Sequence, residues 1–303
     1  MANAATSGWR KLLNRFAALV ALIHSGACLA QAPTRAPATE AAPPAADLSI
    51  ELIDPKVLRV CADPHNLPFS NEAGEGFENK IAELLARKLD KSLAYTWYPN
   101  SVGFLRNTLN AHRCDVVMGF PQGGELAQST NPYYRTAYAL VYRRGTGLDG
   151  IDSIGDARLK DKRIGVVAGT PPATYLAMDS LLAHTKGYPL VVDTRVDSSG
   201  EAMINDLAGG AIDIAMLWGP MAGYHAKRLG ADAAVVPLTR ETGGPRLAYH
   251  IAMGVRAADQ EWKRLLDRLV RENQGEISAI LAGYGVPLLD ENDRPITVPA
   301  AAK

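Results

Sequence analysis

The chain is short of the residues that build small or metal-centred folds. Its 303 residues hold three cysteines and six scattered histidines, which gives neither a disulfide-stapled scaffold nor a zinc-ligand spacing. Lys plus Arg and Asp plus Glu balance at 32 each with no basic stripe, which argues against nucleic acid as a partner. No Gly-x-Ser-x-Gly elbow, His–carboxylate pairing or metal-ligand cluster is present, so catalysis has no recognisable seat. The apolar run at residues 16–23 is too short for a membrane-spanning helix.

What is there is ordinary for a soluble protein: 47% hydrophobic and 21% charged residues in a chain long enough for two domains with separate cores. Arg10, Lys11 and Arg15 precede the apolar run, and small residues follow through Cys28-Leu29-Ala30. That layout predicts a signal peptide over residues 1–30 and export to the periplasm. Ser25-Gly26-Ala27-Cys28 departs from a lipoprotein box because Ser25 sits where Leu is usual. Residues 31–55 begin as an Ala/Pro-rich stretch with almost no large apolar side chain and are expected to be a flexible linker. Cleavage removes three cations and no acid, leaving 29 basic against 32 acidic groups. Cys61 and Cys114 remain: an even pair suits a disulfide in an oxidising compartment, and two small buried apolar residues are the other reading.

Two similar units organise the rest. VLRVCADPHNLPFSNEAGEGFENKIA (57–82) reads as a strand, a polar loop and a helix opening near Phe77, and RIGVVAGTPPATYLAM (163–178) repeats the order. LNAHRCDVVM (109–118) and LAGGAIDIAM (207–216) echo each other as helix ends running into buried strands. The pattern predicts an α/β fold of two lobes: 56–143 with 248–290, and 144–247, leaving 291–303 as a tail. Two crossover strands, within 137–142 and 247–255, join them, and Val116 and Ile214 are expected in separate sheets. Further expectations are a helix from Ser101 to about His112, Thr170 as an N-cap, a Ser198/Glu201 capping box, and helices over 262–270 and 276–284. Turns leaving the C-terminal ends of parallel strands are where such sheets place ligands. The cleft candidates are therefore Asp63, Asn66, Phe69, Glu78, Tyr133, Tyr134, Thr170, Tyr175 and Trp218.

LRVCADPHNLPFS at the head of the first unit and LKDKRIGVVAGTPPATYL (159–176) at the head of the second resemble type II periplasmic solute-binding proteins. A narrower resemblance is carried by Cys61-Ala62-Asp63-Pro64 through Asn66-Leu67-Pro68-Phe69-Ser70-Asn71, GEGFENK (74–80), Arg113-Cys114-Asp115 and Pro132-Tyr133-Tyr134-Arg135. These are similar to the quinoprotein-dehydrogenase-associated group, the MoxJ/XoxJ accessory proteins encoded beside periplasmic methanol dehydrogenases. The resemblance implies a two-lobed clam-shell and an accessory role through protein or cofactor binding, without catalysis. It also implies a quinoprotein alcohol dehydrogenase as partner, and the quinone PQQ only through that partner, with no covalently bound cofactor and no metal. The alternative is a transport receptor for a small solute that is not an amino acid. An enzyme on this scaffold would use Glu78 or Asp63 as general acid. The departures matter most. Family members that bind amino acids carry an Arg in a Thr-x-x-Arg pattern after the strand equivalent to 115–118, and an Asp after the second-lobe strand. Here GFPQGGEL (119–126) has no Arg, and Trp218 falls near the place of the Asp.

Overall fold

The structure, a computed structural model, describes residues 51–298. The expected signal peptide, the linker up to residue 50 and the last five residues lie outside the described residues. No described helix is long and apolar enough to cross a membrane.

The described residues open with strand β1 (Val57–Ala62), the short pair β2 (His65–Asn66) and β3 (Ser70–Asn71), helix α1 (Phe77–Lys88), β4 (Ser92–Trp97) and α2 (Phe104–Asn107). β5 (Val116–Pro121), β6 (Gln128–Ser129) and the ten-residue β7 (Tyr134–Arg143) follow. Next come β8 (Ile164–Val167), α3 (Pro171–Met178), β9 (Thr185–Tyr188), α4 (Ser199–Ala208), β10 (Ile214–Trp218), α5 (Gly219–Leu229) and β11 (Ala233–Pro237). The return strand β12 (Ala248–Val255) leads to α6 (Gln260–Glu272) and α7 (Gln274–Gly283).

The mixed α/β character is as read from the sequence, with one correction to the sheets. Strand order runs β4-β1-β5-β12-β7-β10-β8-β9, so hydrogen bonding passes from Val116 to Ile214 without a break. The cause is the length of β7. Its residues 134–137 pair with β12, while Tyr138–Tyr142 pair with β10 and Ala139–Arg143 with β11. The change of partner falls inside the strand, at Ala137–Tyr138, and not after Arg143.

The cores nevertheless stay apart. Leu58, Val60, Ile81, Leu85, Trp262 and Leu266 belong to one. Beyond Tyr138, alternate β7 residues face opposite sides, as the two-residue strand period requires. Leu140 and Tyr142 join Ile154, Ile164, Leu176 and Ile214, whereas Ala139 and Val141 join Met203, Leu207, Ala215 and Leu217 under α4 and α5.

Two local expectations are revised, and the tail gains a contact. The helix from Ser101 to His112 shrinks to α2, because the Thr108 hydroxyl bonds back to the Phe104 carbonyl (2.7 Å) and the backbone leaves helical geometry at Thr108. The supposed linker is already anchored at its end: Leu52 is buried in the first core, and Glu51 accepts from the N–H groups of Glu261 and Trp262 at 3.1 and 2.7 Å. A carboxylate placed there suits the positive start of α6. Finally, part of the tail is fixed, since Arg135 pairs with Asp293 at 2.5 Å.

His225 on α5 supplies a pH prediction. It is only 3% exposed, and neither ring nitrogen has a hydrogen-bond partner among the described residues. Burial, then Arg228, pushes its pKa down from 6.5 to about 4, with Glu201 pulling weakly the other way. The unfolded chain binds the proton near 6.5, so this contribution is full above that pH and is lost as pH falls toward 4. Between pH 7 and pH 4 the wild type is expected to lose about 3 kcal/mol more stability than His225→Phe. Denaturant midpoints for both proteins at the two pH values check this; equal losses would refute it.

Candidate functional site

The strand ends β1 and β5 of one lobe and β10 of the other converge on a cleft with two adjoining cavities, of about 730 and about 810 Å³. Asn66, Phe69, Asn100, Pro121 and Trp218 wall both. Trp218 is held edge-on between Tyr138 and Tyr249, with centroids 5.1 and 5.7 Å away. It therefore stands as a fixed partition at the point where the crossover strands pass.

Asp63 follows β1 and is 3% exposed. Its carboxylate accepts from the N–H groups of His65 (2.8 Å) and Asn100 (2.7 Å). The Thr194 hydroxyl, on the opposite wall, donates to it at 3.2 Å. The carboxylate is thus largely occupied by the protein itself. Glu78, the second residue of α1, enters the first cavity without a hydrogen bond among the described residues. Its Oε1 lies against Gly119, where a Cβ would overlap it; Gly119 also has φ +65°, a backbone region that favours glycine. Burial, and then the charge of Asp63, lift the Glu78 pKa to about 8. The side chain is accordingly a neutral hydrogen-bond donor at pH 7.

The structure gathers Asp63, Asn66, Phe69, Glu78, Thr170 and Trp218 around the two cavities. The Thr170 hydroxyl donates to the Val167 carbonyl (2.6 Å), so the residue occupies the N-cap position of α3 without capping through its side chain. Tyr133, Tyr134 and Tyr175 do not line the cavities. Tyr133 is wholly buried, its hydroxyl accepting from the Gly119 N–H at 3.0 Å, and Tyr134 packs in the same core. Tyr175 belongs to the second core. Their apolar rings offered the sequence no way to tell core from cleft. Missed wall residues include Asn100, Phe104, Phe120, Tyr138, Thr194 and Tyr249. Only the two tyrosines carried a signal, being large aromatics on the crossover strands.

Cys61, behind the first cavity, is bridged to Cys114 across a Cα separation of 5.6 Å, within disulfide range. Cys61 pairs in register with Val117, and Cys114 lies just before β5 between bends at Arg113 and Asp115, outside the parallel ladder.

The two clamp positions for a zwitterion stay empty of the expected charges: residues 119–126, from the end of β5 onward, hold no Arg, and residues 218–223, from the end of β10 onward, hold no acid. Of the basic residues lining the cavities, Arg195 pairs with Asp193 (2.6 Å) and Arg228 with Glu201 (2.8 Å). Arg106 is exposed at the mouth of the first cavity. Arg135 is committed to Asp293 and His250 outside both. No group of three or more His, Cys, Asp or Glu that could hold a metal occurs among the described residues.

No family model matches the chain. The crystal structure of periplasmic binding protein XoxJ from Methylobacterium extorquens AM1 is 42% identical, covers 77% of this chain and 100% of its own, and superposes with a TM-score of 0.66. MxaJ from Methlophaga aminisulfidivorans MPT is 27% identical over 77% of this chain and 100% of its own, also with a TM-score of 0.66. Protein MoxJ of Methylorubrum extorquens is 29% identical over 93% of this chain and 97% of its own length. An ancestral cationic amino acid solute-binding protein, 21% identical over 76% of this chain and 96% of its own with a TM-score of 0.60, shares the fold. The type II binding-protein architecture and the identity to XoxJ agree with the motifs at 61–80 and 113–115, and the chain belongs to the MoxJ/XoxJ family of periplasmic binding proteins.

Proposed function

We propose that this protein is a periplasmic accessory protein of a quinoprotein alcohol dehydrogenase, acting by binding the dehydrogenase and not by catalysis. The observation that carries the reading is a retained cleft that has lost both ionic clamps for a zwitterion. A buried ionic group without its partner costs several kcal/mol, so a free amino acid gains little there. The mouth of the cleft carries exposed aliphatic side chains: Val102, Leu126 and Val196 are 87, 70 and 77% exposed, and each lines a cavity edge. Exposed aliphatic side chains around a concavity mark interaction surfaces. Among the described residues the cleft floor presents Asp63 and no buried cation, Arg106 standing exposed at the mouth, which does not suit a carboxylate-bearing quinone, so PQQ is assigned to the dehydrogenase.

A second reading has one observation in its favour. A half-open cavity of about 730 Å³ with a neutral Glu78 carboxyl suits a small polar solute, as in a transport receptor for something other than an amino acid. Affinity capture of the tagged, disulfide-intact protein from the periplasm of alcohol-grown cells separates the two. Recovery of a quinoprotein dehydrogenase, reduced by Val102→Asp or Val196→Asp, is the expected result. Recovery of a tightly held metabolite and no dehydrogenase would replace it with the receptor reading.

A further inference from the structure

Helix α5 carries two glycines one turn apart, Gly219 and Gly223. Residues four apart share a helix face. The second lobe's core receives Ala222 and Ala226 from this helix, while the glycine face is pressed on the chain that leaves α7. A Cβ on Gly223 would overlap the carbonyl oxygen of Gly285. A Cβ on Gly285, which has φ +80°, would stand 2.8 Å from the Gly223 oxygen. One on Gly219 would meet Thr136 Oγ1 at 2.6 Å and Pro287 Cγ at 3.0 Å. Lys227 Nζ donates to the Gly283 carbonyl, and the rings of Tyr224 and Tyr284 stack at 6.4 Å. Val286 and Leu288, just beyond Gly285, are anchored in the first lobe's core. Backbone therefore meets backbone across the lobe boundary, an approach open only to residues without a side chain.

The same segment continues over the crossover strands. The Thr136 hydroxyl donates to the Pro287 carbonyl (2.7 Å), and the Leu289 N–H to the Arg135 carbonyl (3.0 Å). Asp293 pairs with Arg135 on β7, and Glu291 meets His250 on β12 at 3.0 Å. Hinge closure in two-lobed proteins works by changing a few backbone angles where the lobes join. Here those positions are tied to a strap.

We infer that the Gly219/Gly223–Gly285 contact and the strap over residues 285–294 bolt the lobes in one orientation. The cleft is then a preformed groove of fixed width and does not close on a solute. This conclusion stands on the chain's own packing and is independent of which partner enters the groove.

Paired spin labels at Val102→Cys and Val196→Cys, on opposite rims of the disulfide-intact protein, test it by pulsed electron spin resonance. One narrow distance population is expected for this labelled but otherwise unaltered chain. Two populations, or a broad one, would overturn the inference without reference to any further variant. Adding Gly223→Ala should displace or broaden the distribution; a folded Gly223→Ala protein with an unchanged distribution would also overturn it. If that variant does not accumulate, Lys227→Met with Tyr284→Ala replaces it, with broadening expected and an unchanged distribution contradicting the bolt.

Discussion

Arg256→Met is expected to destabilise the protein by about 4 kcal/mol, the range seen when one partner of a buried ion pair is removed. Arg256 is 7% exposed at its side chain and lies 2.7 Å from both Asp115 and Asp259, themselves 1 and 5% exposed. It also donates to the carbonyls of Cys114 and Glu51, at 2.5 and 2.8 Å. The guanidinium thus ties the return strand β12 to the start of β5 and to the segment that enters the fold. Methionine would leave two buried carboxylates unpaired, and burial already pushes the Asp259 pKa up. Replacing Asp115 as well removes one of the two carboxylates that Arg256→Met leaves unpaired, so the double variant should cost less than the sum of the singles, with Asp259 the one buried charge remaining. Urea midpoints for Arg256→Met, Asp115→Leu and the double variant check this. A double variant as unstable as the sum of the singles would show that the network is not one unit.

Opening the Cys61–Cys114 bridge has an effect of similar size. The cysteines are 53 residues apart in sequence, and a cross-link closing a loop of that length is worth about 4 kcal/mol by chain entropy. In a domain of this size that lowers the melting temperature by about 10 °C. The bridge packs with Leu109, Val117, Phe104 and Leu105, and several of these side chains wall the first cavity. Cys61→Ala with Cys114→Ala should therefore melt earlier, and a reductant should lower the melting temperature of the wild type but not of the variant. A wild type indifferent to reductant would contradict the assignment.

The fold was legible where the pattern is local. The paired strand–turn–helix units, the Ser198 cap (accepting from the Glu201 N–H at 3.2 Å) and the amphipathic stripe ending in α6 all depend on neighbours within a turn or two. What escaped depends on distant chain. The shared strand β7 reads as one apolar run, and nothing in it announces that its two halves face different partners. Tyr133 and Tyr175 read like Phe69 and Trp218, because burial in a core and exposure in a cleft ask for the same side chains. Thr194 meets Asp63 across 131 residues of sequence, a pairing that no spacing rule reaches. Glu51 was counted with the flexible linker and Asp293 with the tail because their flanking composition is poor in core-forming residues, yet charged contacts to distant chain hold both. The GPMAG stretch of α5 gave no sign that its glycines serve the lobe boundary.

The most direct test of the account is deletion of the gene in cells grown on a primary alcohol, reading two quantities together. Periplasmic quinoprotein dehydrogenase activity should fall and be restored by the wild-type chain, while uptake of candidate solutes is unchanged. Untouched dehydrogenase activity and abundance, with the uptake of one solute lost, would contradict it.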